Sequence, residues 1–414
     1  MSEQMKTVTA SFDRVGRRTW WVLLGVALVC LGSFVRIVSS SDDLTSPGTI
    51  RAAIIATCPI LLAALGGLWA ERAGVVNIGL EGQMILGTWG AAFFTYHYGP
   101  WIGIIGAAFL GIIGGLLHAV ATVTFGVDHI VSGVAVNLIG AGVATFLAEA
   151  VFTDYEGGGP RQLVGLDTPT AITVPGLSDA ALHLAGKHWF FVSDVAGVVA
   201  ALTTNISSLS IVVLLLVVLS GWILWRTRFG LRLRSCGENP QAAETLGVNV
   251  YLYKYVAVLV SGALAGIGGG FLALVAANGF NTGQTGGRGY IGLAAMIFGN
   301  WRPGGLLMGA LTFGYTDSLR LRDSEAVHAL LLLVAVLLLA LALYRVVRRQ
   351  VSGAIGVGVV GVLLLLWYVS TSSVPNQFTV MTPYVTTLVV LALGAQRLRM
   401  PAADGKPYRR GSAG

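Results

Sequence analysis

Apolar residues in this chain come in long runs broken by short polar or basic segments. The run Trp20–Val38 carries no charge before Arg36, and Ser210–Trp225 carries none at all. Each is close to the roughly 20 residues that a helix needs to cross hydrocarbon. The pattern predicts an all-α, polytopic transmembrane bundle of about 9–11 spans, with broken or re-entrant segments. Threaded through the sequence, the helices run over 20–38, 49–69, 75–95, 101–123, 129–152, 207–225, 251–275, 290–320 with a break, 326–344, 353–370 and 381–396. The break falls near Gly299–Gly305, where Arg302 and Pro303 interrupt the pattern.

Composition agrees: 55% of the 414 residues are hydrophobic and 11% charged, against about a quarter charged in a soluble domain. So few charges cannot cover a water-facing surface. Among 56 glycines, small residues recur at four-residue spacing in two stripes, Gly103, Ala107, Gly111, Gly115 and Gly262, Gly266, Gly270. Such spacing lets helix backbones approach closely in lipid. Cys30, Cys58 and Cys236 are odd in number and fit no metal or disulfide framework, so they read as packing residues, and no metal is expected.

The net charge of +7 does not point to nucleic acid, because the bases sit in clusters between apolar runs. Four Lys or Arg precede Trp20, five lie from Arg226 to Lys254, three from Arg345 to Arg349 and five after Gln396. The positive-inside bias puts these patches, and hence both termini, in the cytoplasm. The acid-rich stretch 153–206 then lies outside. The expected layout is a cytoplasmic tail over 1–19, a permease domain over 20–396 with a cytoplasmic loop at 226–250, and a basic cytoplasmic tail over 397–414, disordered after about Met400.

Two polar stretches interrupt the apolar pattern. The first, Glu71–Gln83, holds Asn77, Glu81 and Gln83. A carboxylate at mid-span costs about 2.5–3.5 kcal/mol, so Glu81 needs a partner or a polar cavity. Two readings stand: a hydrogen-bond network fixing a broken helix, or the lining of a substrate path. The second stretch, Asn278–Tyr290, holds Asn278, Asn281 and Gln284 among too many glycines to continue a helix. It reads as a loop or re-entrant turn, of the kind that borders transporter binding sites. Asn137, inside the fifth helix, is either an interhelical hydrogen-bonding residue or a further cavity residue. His118 and His129 read as structural.

The loop at 226–250 encodes one short helix. Asn239 can cap it, Pro240 suits its first position, and Gly247 can end it in a left-handed conformation. About two turns are marginal in water, so the helix must dock on something, and Ala242, Ala243 and Leu246 give it a small apolar face. No phosphate-cradling loop is present, since neither Gly186-Lys187-His188 nor Gly405-Lys406-Pro407 ends in Ser or Thr. His-Glu-x-x-His and Gly-x-Ser-x-Gly are likewise missing from the sequence, so no catalytic residue is assigned.

Gly237-Glu238-Asn239-Pro240 with Ala242-Ala243 and Gly247 resembles the ATPase-contacting loop of ABC-importer permeases of the branched-chain amino acid, ribose and nucleoside group. Glu71-Arg-Ala-Gly-Val-Val-Asn-Ile-Gly-Leu-Glu-Gly-Gln83 resembles the nucleoside or simple-sugar branch of that family, and Ser261–Gly266 and Ile291–Ala295 continue the likeness from Thr49 to Asp317. The resemblance implies a permease subunit that passes a small polar solute, a nucleoside first, across the bacterial cytoplasmic membrane. It implies ATPase subunits that bind ATP-Mg, a second permease that is homologous or identical, and an extracytoplasmic substrate-binding (lipo)protein. Simple sugars or branched-chain amino acids are the alternative solutes. An ion-coupled secondary transporter is the rival mechanism, with Glu81 as its sole strong mid-span acid.

Overall fold

The computed structural model describes residues 17–320, 324–347, 350–375, 377–379, 381 and 398–411. Apart from Met381, the expected span 381–396 lies outside these, as does most of the N-terminal tail. The chain divides into two compact units.

The first unit gathers the start of the chain, residues 173–204 and 319–380. Helix α1 is Arg17–Ser39, and Pro47 opens the long helix α2, Pro47–Arg72, which runs on into the second unit. In the first unit the Asp194 carboxylate accepts from Ser33 Oγ at 2.6 Å and Thr45 Oγ1 at 2.5 Å and pairs with Arg36 at 3.1 Å. Both charged side chains are nearly sealed from solvent, at 6% and 4% exposed, which a buried ion pair tolerates only when its remaining valences are bonded.

The second unit holds residues 52–172, 205–318 and the C-terminal stretch. It contains α3 (Leu80–Tyr98), α4 (Pro100–Ala119) and α5 (His129–Leu147). Residues 153–205, expected as a plain outer loop, contain strands β1 (Gly158–Gly159), β2 (Gln162–Val164) and β3 (Ala171–Ile172), and in the first unit helices α6 (Leu177–Ala185) and α7 (Val192–Thr203). Strand β4 (Ile206–Ser207) then leads into α8 (Ser208–Arg226), α9 (Arg228–Glu238), α10 (Pro240–Thr245) and α11 (Val250–Phe271). Strand β5 (Gly279–Asn281) precedes α12 (Arg288–Phe298) and α13 (Pro303–Arg320). Helices α14 (Ser324–Val347) and α15 (Val351–Ser370) pack together in the first unit.

Among the described residues seven helices are long and apolar enough to cross a membrane. Helices α3 and α13 are as long as spans, at 19 and 18 residues, but richer in polar groups. The expected break in 290–320 is present between α12 and α13, where Asn300 and Trp301 adopt φ near +50°. The helix expected over 75–95 starts five residues later. Gly74 turns the chain at φ +82°, and His118 Nε2 donates to the Val76 carbonyl while His129 Nδ1 accepts from Val76 N–H. These bonds hold the backbone out of helix.

The two small-residue stripes pack on each other. A Cβ on Gly111 would sit 2.1 Å from the Gly262 carbonyl oxygen, and one on Gly266 would sit 2.2 Å from that of Ala107. A Cβ on Gly87 of α3 would sit as close, 2.2 Å from the Gly266 carbonyl oxygen. Three helices thus touch backbone to backbone, a contact that only glycine permits and that gains dispersion where no hydrophobic force separates helix from lipid. Gly266→Ala should therefore destabilise the protein by about 1–3 kcal/mol or more through overpacking, while Gly142→Ala, with nothing within 4 Å of its new methyl, should be neutral. Unfolding midpoints of the purified protein check this, and equal midpoints for the two variants would refute the close approach.

Candidate functional site

The two polar stretches meet. Glu81, in the first turn of α3, accepts from Gly287 N–H at 2.9 Å through one carboxylate oxygen and from Gly289 N–H at 2.7 Å through the other. Those donors belong to the N-terminus of α12, which lacks a side-chain cap of its own. A carboxylate there satisfies orphan donors and lies at the positive end of the helix dipole. Asn137 of α5 completes the junction: its Oδ1 accepts from Gly82 N–H at 2.7 Å, and its Nδ2 donates to the Ile78 carbonyl and to Tyr290 Oη at 3.0 and 2.9 Å. Asn77 donates to Gln83 Oε1 and Ser261 Oγ at 3.1 and 2.8 Å and accepts from Gly79 N–H. Asn77 and Gln83 are fully buried.

Every polar atom of Asn77 and Asn137 thus has a partner, Asn137 on backbone and on Tyr290, and Asn77 on the Gly79 N–H and on the side chains of Gln83 and Ser261. Asn278 and Asn281 lie apart from that cluster and are exposed. The segment expected as a loop or re-entrant turn begins instead as strand β5, which pairs antiparallel with β2, Gln162 opposite Asn281 and Leu163 opposite Phe280. Gln284 Oε1 accepts from Asn281 N–H and closes the turn that follows. The sequence reading missed Ser261, Tyr290 and the Arg288–Asp317 ion pair at 2.8 Å. Arg288 and Tyr290 were legible only as polar residues beside a glycine run. Substituting Glu81→Gln removes the charge and leaves one carbonyl for two N–H groups, so it should cost about 1–3 kcal/mol; an unchanged unfolding midpoint would show that the cap is dispensable.

The short helix forms as the sequence implies. Asn239 Oδ1 accepts from Ala242 N–H at 3.0 Å, Pro240 sits at the first position, and Gly247, at φ +80°, ends the helix. Ala243 points inward, 1% exposed, against Cys236 and Val250, whereas Leu246 is 84% exposed and Ala242 is exposed beside it. The outward face is therefore Ala242, Thr245 and Leu246. Glu238 accepts from Ala402 N–H at 3.3 Å and lies 3.8 Å from Arg72.

The bond from Ala402 corrects the expectation of a disordered tail, over the described residues 398–411. Ala403 N–H donates to the Gly237 carbonyl at 2.9 Å, Tyr408 Oη donates to Glu244 at 2.6 Å, and Arg410 pairs with the same carboxylate at 3.4 Å. Ala403 and Asp404 are buried. Small residues let the tail reach the crease between Gly74 and Gly237, where no larger side chain would fit.

Asp404 is pushed up to about 7, first by burial, against the opposing pull of a hydrogen bond from Glu71 and the charges of Lys254 and Arg72. A folded-state pKa above the free value means that docking is strongest in acid, and it weakens as pH rises from about 4 through about 7, by at most roughly tenfold per pH unit. Hydrogen exchange at Ala402–Lys406, corrected for intrinsic rates, should accelerate between pH 5 and pH 8 in wild type and stay protected in Asp404→Asn; protection independent of pH in wild type would refute the coupling.

The family described as the branched-chain amino acid transport system, permease component, matches residues 49–343. The guanosine ABC transporter permease protein NupQ of Bacillus subtilis is 33% identical over 370 residues, 87% of this chain and 96% of that protein. The nucleoside ABC transporter permease protein NupC of Lactococcus lactis is 33% identical over 362 residues, 86% of this chain and 94% of its own length. No solved structure matches the chain.

Proposed function

We propose that this chain, which belongs to the family of permease components of branched-chain amino acid transport systems, carries a nucleoside across the bacterial cytoplasmic membrane as the spanning subunit of an ABC importer. The likeness to a guanosine and a nucleoside permease over nearly the whole of both chains carries this reading. Neutral hydrogen-bonding side chains at Asn278, Asn281 and Tyr290 suit a neutral, hydroxyl-rich solute on its way past α12. An ion-coupled carrier would need Glu81 for its protons or ions, and both oxygens of that carboxylate already accept backbone N–H groups.

In this reading the protein hydrolyses nothing and binds no cofactor. ATP-Mg sits on ATPase subunits whose groove receives α10 through Ala242, Thr245 and Leu246. Asn239, Pro240 and Gly247 set that helix's ends, and Glu238 and Ala243 seat it on the permease. A second permease, identical or homologous, and an extracytoplasmic binding protein complete the assembly, with both termini of this chain in the cytoplasm.

Deleting the gene should abolish uptake of radiolabelled guanosine, and the wild-type copy should restore it; undiminished uptake in the deletion strain would remove the nucleoside reading. Leu246→Glu places a charge where an apolar contact is expected, so it should leave the protein in the membrane with uptake at background and the ATPase no longer co-purifying. Because Cys236 is fully buried, sidedness is better read at Leu246→Cys, which a membrane-impermeant maleimide should label only in opened cells. Labelling of intact cells would overturn the orientation.

A further inference from the structure

At the end of the second unit that carries α10, a cavity of about 360 Å³ opens among the last residues of α2, α8 and α9, the break before α13 and the tail. Its wall holds the side chains of Arg72, Arg234, Arg302 and Arg399, and one carboxylate, Glu238. Glu238, 3.8 Å from Arg72 and half exposed, offsets at most one of these four charges. Among the described residues neither Arg302 nor Arg399 has a carboxylate partner. Four guanidiniums around one space repel one another unless an anion joins them.

Two of the four are held in place. The guanidiniums of Arg72 and Arg234 lie over the Trp225 ring at 5.4 and 5.5 Å from its centre. Arg72 Nε and Nη2 donate to the Trp301 carbonyl at 3.2 and 2.6 Å, and Arg234 Nε donates to that of Leu224 at 2.9 Å. Anchored in this way by carbonyl and ring, each lost its rotamer freedom on folding rather than on binding, which favours affinity. Arg234 keeps both Nη groups uncommitted among the described residues. Planar forks of this kind match the oxygens of a phosphate.

We propose that this cavity binds a phosphate-bearing anion. Its volume lies at the small end of the range for small-molecule sites, about 300–1,000 Å³, and leaves room for more than a bare inorganic ion. It sits where the candidate spans end at Arg72 and Arg226, the depth at which phospholipid headgroups lie. A phosphodiester headgroup and a free phosphate present the same chemistry to these guanidiniums. Either one, when bound, ties the end of α9, which leads into α10, to α2 and to the tail. The proposal stands apart from the identity of the transported solute.

The test uses the full-length chain in detergent. Native mass spectrometry counts bound phosphatidylglycerol, and unfolding midpoints are read against added inorganic phosphate in chloride buffer. Arg302→Gln with Arg399→Gln removes two exposed charges, so folding should be kept; Arg226→Gln, an exposed base outside the cavity, is the control. We expect saturable binding to wild type and to the control, and about tenfold or greater weakening in the double variant, as for the loss of charged hydrogen bonds. Retention of phosphatidylglycerol without a response to phosphate assigns a headgroup, and a response to phosphate assigns a soluble ligand. Failure of both probes to bind wild type saturably, or equal losses in the double variant and the control, would overturn the proposal.

Discussion

The second unit depends on the two hydrogen bonds that Gly287 and Gly289 N–H donate to the Glu81 carboxylate. In an apolar bundle a helix can be interrupted only if its freed backbone groups find other partners. Here the start of α3 supplies the acceptor for the start of α12, and the dipoles of the two helices place positive ends on one carboxylate. Asn137 and Asn77 extend the same solution around Ile78, Gly79 and Gly82. The acid that looks most expensive in the sequence is thus the group that lets two interrupted helices coexist.

Glycine provides the complementary constraint. Backbone contacts among α3, α4 and α11 bring the helices so close that their positions are fixed by carbonyl against carbon rather than by interlocking side chains. The short helix leads straight into this stiff scaffold: α10 is followed within five residues by α11, whose glycines lie against α3 and α4. The rigid elements and the polar junction therefore share residues, since Gly82 both donates to Asn137 and packs on α5.

The face around α10 is more elaborate than a two-turn helix waiting for a groove. Tail residues from Ala402 to Arg410 bond Gly237, Glu238 and Glu244, so the inward side of the short helix is already occupied by its own chain. That arrangement leaves Leu246 standing clear while Ala243 is sealed. Burial raises the Asp404 carboxyl pKa within this seal, and the arginine-lined cavity shares Glu238 with it.

Much of the helical bundle was legible because hydrocarbon demands length and apolarity, which are local and additive along a sequence. The ends of α10 were legible for the same reason, since Asn239, Pro240 and Gly247 act within one turn of themselves. The four-residue glycine spacing announced close helix contacts, though not which helices would meet. Other features lay out of reach: the late start of α3, the strand at Gly279–Asn281, and the inward turn of Ala243. The late start rests on two histidines some forty and fifty residues away, and the strand on a partner more than a hundred residues distant. The tail read as disordered because its composition is polar and basic, whereas the crease between Gly74 and Gly237, with Glu238 and Glu244, gives it places to bind. By itself the sequence determined which segments are apolar enough to be helices in lipid and where local caps end them. The tertiary structure decided which polar groups serve one another, because hydrogen-bond partners far apart in the chain are chosen by packing geometry, and packing is not a local property.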